Sequence, residues 1–396
     1  MSLLESVRKE SQALVAEVIQ WRRHLHAHPE LSYKEFNTAK FVSEKLRAMG
    51  LTPIEGIAGT GIVVLIEGKS PSKKVVALRA DMDALPIQET SDVPYKSQNP
   101  GVMHACGHDV HTTSLLGTAK ILHTFRDQFE GTVKLLFQPG EEKNPGGASY
   151  MIRDGALENP KPSGIIGQHV MPLLPAGTIG FREGMYMASS DEIYLKVIGK
   201  GGHAAAPELT IDPILIASHI IVALQQIISR SANPRQPTVL SFGKFIGEGA
   251  TNIIPNEVNI AGTFRAMDET WRAQALTKIE KLAIGIAEGM GGRCVVTISR
   301  GYPHLQNDPE LTRRIRGAAV AYVGASNVVD IDVTLGSEDF AYYSHVVPAS
   351  FYRLGTRNES KGITSYVHTP NFDIDEDVLA IGPGLMAWMA IQELTA

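Results

Sequence analysis

The sequence predicts an α/β protein: a discontinuous main domain with a central mixed sheet flanked by helices, interrupted by an inserted α+β domain. Three observations lead there. The chain has 396 residues, beyond the size at which one hydrophobic core stops growing. Short apolar, β-rich runs alternate with helical patterns at both ends of the chain. Near residue 184 the texture changes to alternating strands and long apolar helices, which sets 184–297 apart from 1–183 and 298–396.

The elements follow in order. Leu4, Val7, Leu14, Val18 and Trp21 give residues 3–24 the spacing of an amphipathic helix. A second helix follows Asn37, with Phe41, Leu46 and Met49 apolar and Gly50 as its stop. Strands are expected at 61–66, 75–80, 133–137 and 165–170, and helices at 113–125 and 148–154. In the insert, 193–198, 239–245 and 258–265 read as strands. Asp212-Pro213 reads as an N-cap followed by proline at the first helical position, opening a helix to about residue 228. A second inserted helix spans 271–290. Helices at 309–323 and 376–394 then flank a Gly/Ser/Glu/Asp turn at 336–339.

Apolar residues are 43% and charged residues 20% of the chain, so a folded protein with ample core is expected. The net charge of -5 is spread along the chain, and no basic stripe suits nucleic acid or an anionic membrane. A small-molecule partner is favoured. The N-terminal residues hold no continuous apolar stretch of the kind a signal peptide or membrane span needs. With Cys106 and Cys294 as its two cysteines the chain has no disulfide framework, and it is expected in a reducing cytoplasm.

Chemistry concentrates in four segments. Met103-His104-Ala105-Cys106-Gly107-His108-Asp109-Val110-His111 places three imidazoles, a thiol and a carboxylate in nine residues just before a helix. That is more ligand capacity than a turn needs, and metal binding is the direct reading. The apolar run 133–137 ends in Gln138-Pro139-Gly140-Glu141-Glu142. Successive side chains there cannot share one direction, so one Glu can face a metal and the other a water. His169 and His368 each stand where a strand meets a loop. Taken singly, each segment has a bland reading as a buried thiol, a solvated acidic turn or a lone histidine.

Taken together they form a ligand set. One open hydrolytic site needs about three protein ligands and a water. Cys106, His108, Glu142, His169 and His368 are too many for one such site, so two divalent ions sharing a ligand fit better. A thiolate can bridge two cations, whose field would keep Cys106 deprotonated and lower the pKa of a water. Glu141 would take that water's proton and deliver it to a leaving amine, which is general acid-base catalysis on an amide.

Over essentially its whole length the chain resembles the dinuclear-metal amidohydrolase family that includes hippurate hydrolases, N-acyl-amino-acid amidohydrolases and plant auxin-conjugate hydrolases. The resemblance rests on R-R-H-L-H-A-H-P-E-L-S at 22–32, R-A-D-M-D-A-L-P-I at 79–87, M-H-A-C-G-H-D at 103–109, Q-P-G-E-E at 138–142 and G-K-G-G-H-A-A-A-P at 199–207. N-I-I-P at 252–255, G-T-F-R at 262–265, G-S-E-D-F at 336–340 and H-T-P at 368–370 add to it. It implies ligation by the five residues above, Glu141 as base, and an insert acting as a lid through which a homodimer forms. It further implies that His203 stabilises the tetrahedral oxyanion across that dimer, and that Asn252 and Arg265 hold the substrate carboxylate.

The wider superfamily carries H-x-D-x-x-P, whereas this chain has Asp81-Met82-Asp83-Ala84-Leu85-Pro86. Asp81 stands where a ligand histidine would be, His108 takes over that role, and Asp83 is expected to orient a ligand imidazole. His24, His26 and His28 are expected to organise the N-terminal turn, and Cys294 to be a buried thiol. The resulting expectation is an enzyme that hydrolyses small N-acyl amino acids with zinc, manganese, cobalt or nickel. A dipeptidase or carboxypeptidase with the same centre, and a non-catalytic metal-binding relative, are the alternatives.

Overall fold

Three early strands are apolar at nearly every position rather than every second one, as strands covered on both faces must be. After the exposed edge strand β1 (Ile54–Ile57), β2 (Gly61–Glu67) is buried over most of its length, and β3 (Val75–Asp81) and β4 (Thr132–Gln138) throughout. The computed structural model describes residues 1–396, and the chain forms two compact units. The first comprises Met1–Met185, Gln306–Val333 and Asp339–Ala396. The second comprises Tyr186–Leu305 and Thr334–Glu338.

The first unit is organised by an eight-stranded mixed sheet. To β1–β4 it adds β5 (Gly164–Pro175) and β6 (Ile179–Phe181). In the second unit lie β7 (Asp191–Ile198), β8 (Thr238–Ile246), β9 (Glu257–Ala266) and β10 (Arg293–Arg300). The chain then returns to the first sheet with β11 (Val328–Asp330) and β12 (Ala349–Arg357). The first sheet runs β1-β2-β4-β3-β5-β12-β6-β11. Strand β3 is parallel to both β4 and β5, and β5 to β12, so these four strands end on one edge of the sheet. Ligands in open α/β sheets gather at that edge.

Helix α1 (Leu3–Ala27) is longer than its expected 3–24. It starts at a capping box, in which Ser2 Oγ accepts from Glu5 N–H and Glu5 returns the bond to Ser2 N–H. Helix α2 (Phe36–Ala48) follows. Helix α3 (His108–Thr124) begins five residues before the expected 113, because Gly107 takes a left-handed φ of 89° and lets the chain turn straight into the helix. His108 is therefore in a helical first turn and not in a loop. The expected last helix divides into a short 3₁₀ turn, Glu376–Ala380, and a helix at Gly382–Thr395.

Strand β12 was not anticipated, although it pairs with β5 along most of its length. Buried on both faces, it shows no period of two, and Arg353 and Gly355 break its apolar run.

The second unit is a four-stranded antiparallel sheet in the order β8-β9-β7-β10, with helices at Pro213–Gln226 and Glu269–Gly289. Its β7 alternates buried and exposed residues, and Asp212 caps the first helix by accepting from Ile214 and Leu215 N–H. The unit extends past the expected 184–297. Strand β10 stays paired with β7 out to Arg300, and residues 334–338 join through Thr334 N–H to Tyr186 O and Ala188 N–H to Gly336 O.

Phe264 is fully buried in this unit's core among Ile193, Leu195, Ile220 and Leu276. Phe264→Ala is expected to cost about 3–5 kcal/mol through lost burial and the cavity left behind. Urea unfolding should show it as a lower midpoint, and an unchanged midpoint would contradict this core assignment.

Candidate metal centre

The site builds from the ends of β3 and β4 and from the middle of β5. Strand β3 ends at Asp81, level with Gln138 at the end of β4. Past Asp81 the chain presents Asp83, past Gln138 it presents Glu141 and Glu142, and His169 lies midway along β5, still paired with Arg353 of β12, and not where the strand meets a loop. The loop leading into α3 brings Cys106, the first residue of α3 is His108, and His368 comes from an irregular segment near the C-terminus. His368 holds a left-handed φ of 62° and donates its N–H to Ala105 O at 2.7 Å.

Their ligand atoms converge on the Cys106 sulfur. Cys106 Sγ lies 3.4 Å from His169 Nε2 and 3.3 Å from His368 Nε2. His368 Nε2 is 3.3 Å from Glu142 Oε1, and His108 Nε2 is 3.9 Å from the same oxygen. Two triads result, Cys106–His108–His169 and Cys106–Glu142–His368, each with its ligand atoms within 4.8 Å of one another. Atoms held about 2.0–2.3 Å from one tetrahedral ion stand roughly 3.3–3.7 Å apart, close to the shorter separations here. Cys106 is common to both triads.

Two buried atoms in the cluster, His108 Nε2 and Glu142 Oε1, have no hydrogen-bond partner. Buried polar atoms are seldom left so, and a cation is the partner that suits a lone pair and a carboxylate oxygen together. The donor set, one thiol, three imidazoles and a carboxylate, therefore fits divalent metal.

The remaining nitrogens and oxygens are occupied in ways that aim the ligands. His108 Nδ1–H donates to Asp83 O at 2.8 Å, with Asp83 Oδ1 at 3.2 Å, and His169 Nδ1–H donates to Val170 O at 2.7 Å. Both rings are thereby turned with Nε2 toward the sulfur. Asp83 Oδ1 also accepts from Glu141 N–H at 3.0 Å, and Oδ2 from Glu142 N–H at 2.9 Å and Ser32 Oγ–H at 2.6 Å. Gly107 adds a steric condition, since a Cβ there would meet Val170 Cγ2 at 2.5 Å on the strand that carries His169.

Nearby histidines are separated from the ligand set by the same accounting. His111 Nδ1–H donates to Asp81 Oδ1 at 2.6 Å and its Nε2 accepts from Val170 N–H at 2.9 Å, so neither lone pair is open. Asp81 spends its other oxygen on Arg79, at 2.6 Å. His104 is the exception to that accounting, buried with neither ring nitrogen hydrogen-bonded, and burial lowers its pKa to about 4, which keeps it neutral. His26 bonds Asp109 Oδ2 and Glu89, whereas His24 stacks on Phe41 and His28 caps α1.

The electrostatics favour positive charge. Cys106 first, then the Glu142 carboxylate beside it, raise His368 to about 10. Burial works against a charged His108, yet Asp81, Cys106 and Asp83 outweigh it and raise its pKa well above the ordinary value. Burial, with Arg353 and His111 beside it, keeps His169 neutral, with its Nε2 lone pair available. The Cys106 thiol is pushed up by burial and the Glu142 charge, so its thiolate depends on a nearby cation.

In the second unit, His203 is exposed on a two-residue strand paired with Ile253–Ile254, and its Nδ1 accepts from Ala205 N–H at 3.1 Å. Asn252 adjoins it, accepting Ala204 N–H at its backbone oxygen at 3.0 Å. Arg265 lies apart on β9, half-buried, donating to Thr263 Oγ1 and Ser337 Oγ, both at 3.1 Å. Cys294 is buried in the sheet, where burial raises its thiol to about 11.

A sheet edge that gathers a thiol, imidazoles and paired carboxylates is a candidate metal site of a hydrolase. The chain belongs to peptidase family M20/M25/M40, whose model matches residues 77–391. It is 43% identical over 319 residues to an N-acyl-L-amino acid amidohydrolase of Geobacillus stearothermophilus, covering 81% of this chain and 85% of that one. It is 40% identical over 395 residues to thermostable carboxypeptidase 2 of Saccharolobus solfataricus, covering 99% of each. Among solved structures, a dinuclear metal-binding M20 peptidase of Bacillus subtilis superposes with a TM-score of 0.83 at 35% identity, over 97% of this chain and 99% of the other.

Several supporting residues had no assignment from sequence. Asp339 accepts from Arg79 NH2, Gln138 Nε2 and Ala148 N–H, each at 2.8–2.9 Å, and its own N–H points to Glu141 Oε1 at 3.4 Å. Its one signal was the G-S-E-D-F run, which carried no role. Glu35, fully buried, accepts from Gly140 N–H and Thr60 Oγ–H beneath the Glu141 turn, and nothing in its local sequence marks it.

Asp83→Ala removes the acceptor shared by His108, Glu141 and Glu142. Metal affinity is expected to fall about 10- to 100-fold, by competition with a chromophoric chelator. Unchanged affinity would rule out the orienting role. Glu35 gives a pH dependence: burial first, then the Asp83 charge, raise its pKa from 4.5 to about 7. The native state therefore holds a proton that the unfolded chain releases, and this contribution is complete below about pH 4.5 and lost as pH rises through 7. Glu35→Gln should flatten the pH-stability curve over that window by on the order of 3 kcal/mol, read from urea midpoints at graded pH.

Proposed function

We propose that this chain hydrolyses the amide bond of small N-acyl amino acids, of the N-acetyl or N-benzoyl type, releasing a carboxylic acid and a free amino acid. The carrying observation is the division between two adjacent glutamates. Both backbone N–H groups are held by Asp83, yet Glu142 adjoins Cys106 and His368 while Glu141 is buried with Oε1 toward Asp339 N–H. That suits Glu142 as ligand and Glu141 as base.

In this reading Cys106, His108, Glu142, His169 and His368 would hold two divalent ions, zinc, manganese, cobalt or nickel. Bound there, the ions supply Lewis acidity toward the acyl carbonyl and a lowered pKa for the attacking water. Glu141 accepts the water proton on its carboxylate as the oxygen attacks the acyl carbon, then passes it to the amide nitrogen as the C–N bond breaks. Asp83 keeps His108 and both glutamates aimed throughout. His203 is assigned to the oxyanion, donating from its ring. Arg265 and Asn252 are assigned to the substrate carboxylate. The Arg265 guanidinium is bonded to two hydroxyls and to no carboxylate, which leaves capacity for an anion.

We also propose a homodimer formed through the second unit. Helix Pro213–Gln226 turns Leu215 and Val222 outward, and the edge strand β8 exposes Phe245 and Ile246. Residues 213–231 and 376–395 are long and apolar enough to cross a membrane. We read the first as an association face and the second, 78% buried, as a core helix of a cytoplasmic protein that binds neither membrane nor nucleic acid.

A carboxypeptidase is the second reading, favoured by the carboxypeptidase relative that matches nearly the whole chain. Hippurate and N-acetyl amino acids, assayed against unacylated dipeptides with manganese added, decide between them. A higher kcat/KM on the dipeptides would overturn the first reading. Glu141→Ala is expected to lower kcat by a factor on the order of 10² to 10⁴, with both ions retained by elemental analysis. Near-normal turnover by that variant would remove Glu141 as base.

A further inference from the structure

The opening motif, Arg22 to Ser32, contributes none of the candidate ligands, yet its first residue is fully buried. Arg22 Nε donates to Asp109 Oδ2 at 2.8 Å, one NH2 to Asp373 Oδ1 at 2.7 Å, and NH1 reaches Glu376 Oε1 at 3.4 Å. Its guanidinium carbon stands 4.8 Å from the centre of the Tyr95 ring, and Tyr95 Oη–H donates to Asp373 Oδ2 at 2.8 Å. Asp109 immediately follows His108. Asp373 lies five residues past His368, on a segment with neither helix nor strand between Ile363 and Asp375.

A buried charge is kept where the groups it pairs need a fixed arrangement, because removing it leaves carboxylates without compensation. Here the paired groups sit beside ligands from both triads. His108 and His169 have the support of α3 and β5, and Cys106 stands two residues before α3, whereas His368 is on irregular backbone in a left-handed conformation. Such a conformation persists when neighbouring structure fixes it. Ties that cross from this segment to the rest of the site include His368 N–H to Ala105 O, Thr90 N–H and Oγ1–H to Pro370 O, Tyr95 Oη–H to Asp373 Oδ2 and the Arg22 fork, and Phe372 and Ile374 are buried in the core.

We propose that Arg22 is a positioning residue of the metal centre, whose guanidinium fixes the segment carrying His368 against the loop carrying Cys106 and His108. The role needs a planar group donating in separate directions to Asp109 and Asp373, which a lysine ammonium cannot supply in one geometry. It rests on the two-ion reading above. Its loss should loosen the Cys106–Glu142–His368 triad while leaving Cys106–His108–His169 in place.

The test is stepwise cobalt binding to the metal-free full chain, followed by thiolate-to-cobalt absorption and by equilibrium dialysis with elemental analysis. Wild type is compared with Arg22→Lys, which keeps the charge, and Asp373→Asn, which leaves the Arg22–Asp109 pair intact should the first variant fold poorly. Both variants are expected to bind one ion about tenfold or more weakly and the other as wild type does. If the wild type takes up two ions and the variants bind both unchanged, or weaken both alike, the positioning role is overturned and the two-ion reading stands. A wild type that takes up fewer than two ions overturns the two-ion reading itself, and this proposal with it.

Discussion

The buried carboxylate of Asp83 receives, on two oxygens, the backbone N–H groups of Glu141 and Glu142, the hydroxyl of Ser32 and the ring of His108. Three segments distant in sequence are tied to it where it follows β3: the turn after β4, the start of α3 and the chain leaving α1. A carboxylate that accepts several hydrogen bonds is stabilised as the anion, and burial makes each bond costly to break. Asp83 is accordingly held below the ordinary carboxylate range, because these bonds outweigh the burial that opposes its charge. Ligand geometry inherits the rigidity of this one group.

Around it, buried charges are paired before any ligand is reached. Arg79 links Asp81 to Asp339, and Asp339 holds Gln138 and Ala148 N–H at either side of the Glu141 turn. Asp81 in turn fixes His111, which accepts Val170 N–H one residue past His169. Each bond is local, yet together they connect β3, β4 and β5 at the edge where their ends converge. A parallel arrangement makes this economical, since neighbouring strands finish side by side and their following loops share one space.

The fold class was legible in the sequence, and so was the grouping of the candidate ligands that the structure brings together. Cys106, His108, Glu141, Glu142, His169 and His368 were readable because ligand chemistry is confined to few residue types, and clusters of those types stand out from an apolar background. Strand β12 was not readable, since burial on both faces removes the alternation that marks a strand. The start of α3 was misplaced for a different reason: Gly107 reaches φ 89° without a side-chain cap, so no Ser, Thr, Asp or Asn announces the helix. Asp339, Glu35 and Arg22 each act through at least one partner 87 or more residues away, 351 for Arg22 and Asp373, and such pairings leave no trace in a local pattern.

The distribution of charge explains why cations belong at the centre and not at its margin. Arg22 and Arg79, both fully buried, are consumed by Asp109, Asp81 and Asp339. Neither of these two guanidinium groups is bonded to Cys106 or Glu142, and the imidazoles of His108 and His368 stand beside the Glu142 carboxylate. A proton neutralises one lone pair at a time, whereas a divalent ion engages a thiolate, an imidazole and a carboxylate together. The outer pairs therefore do more than stabilise the fold. By neutralising their own surroundings they leave the inner donors as the uncompensated anionic pole, so metal affinity is concentrated on the atoms that Asp83 has aimed.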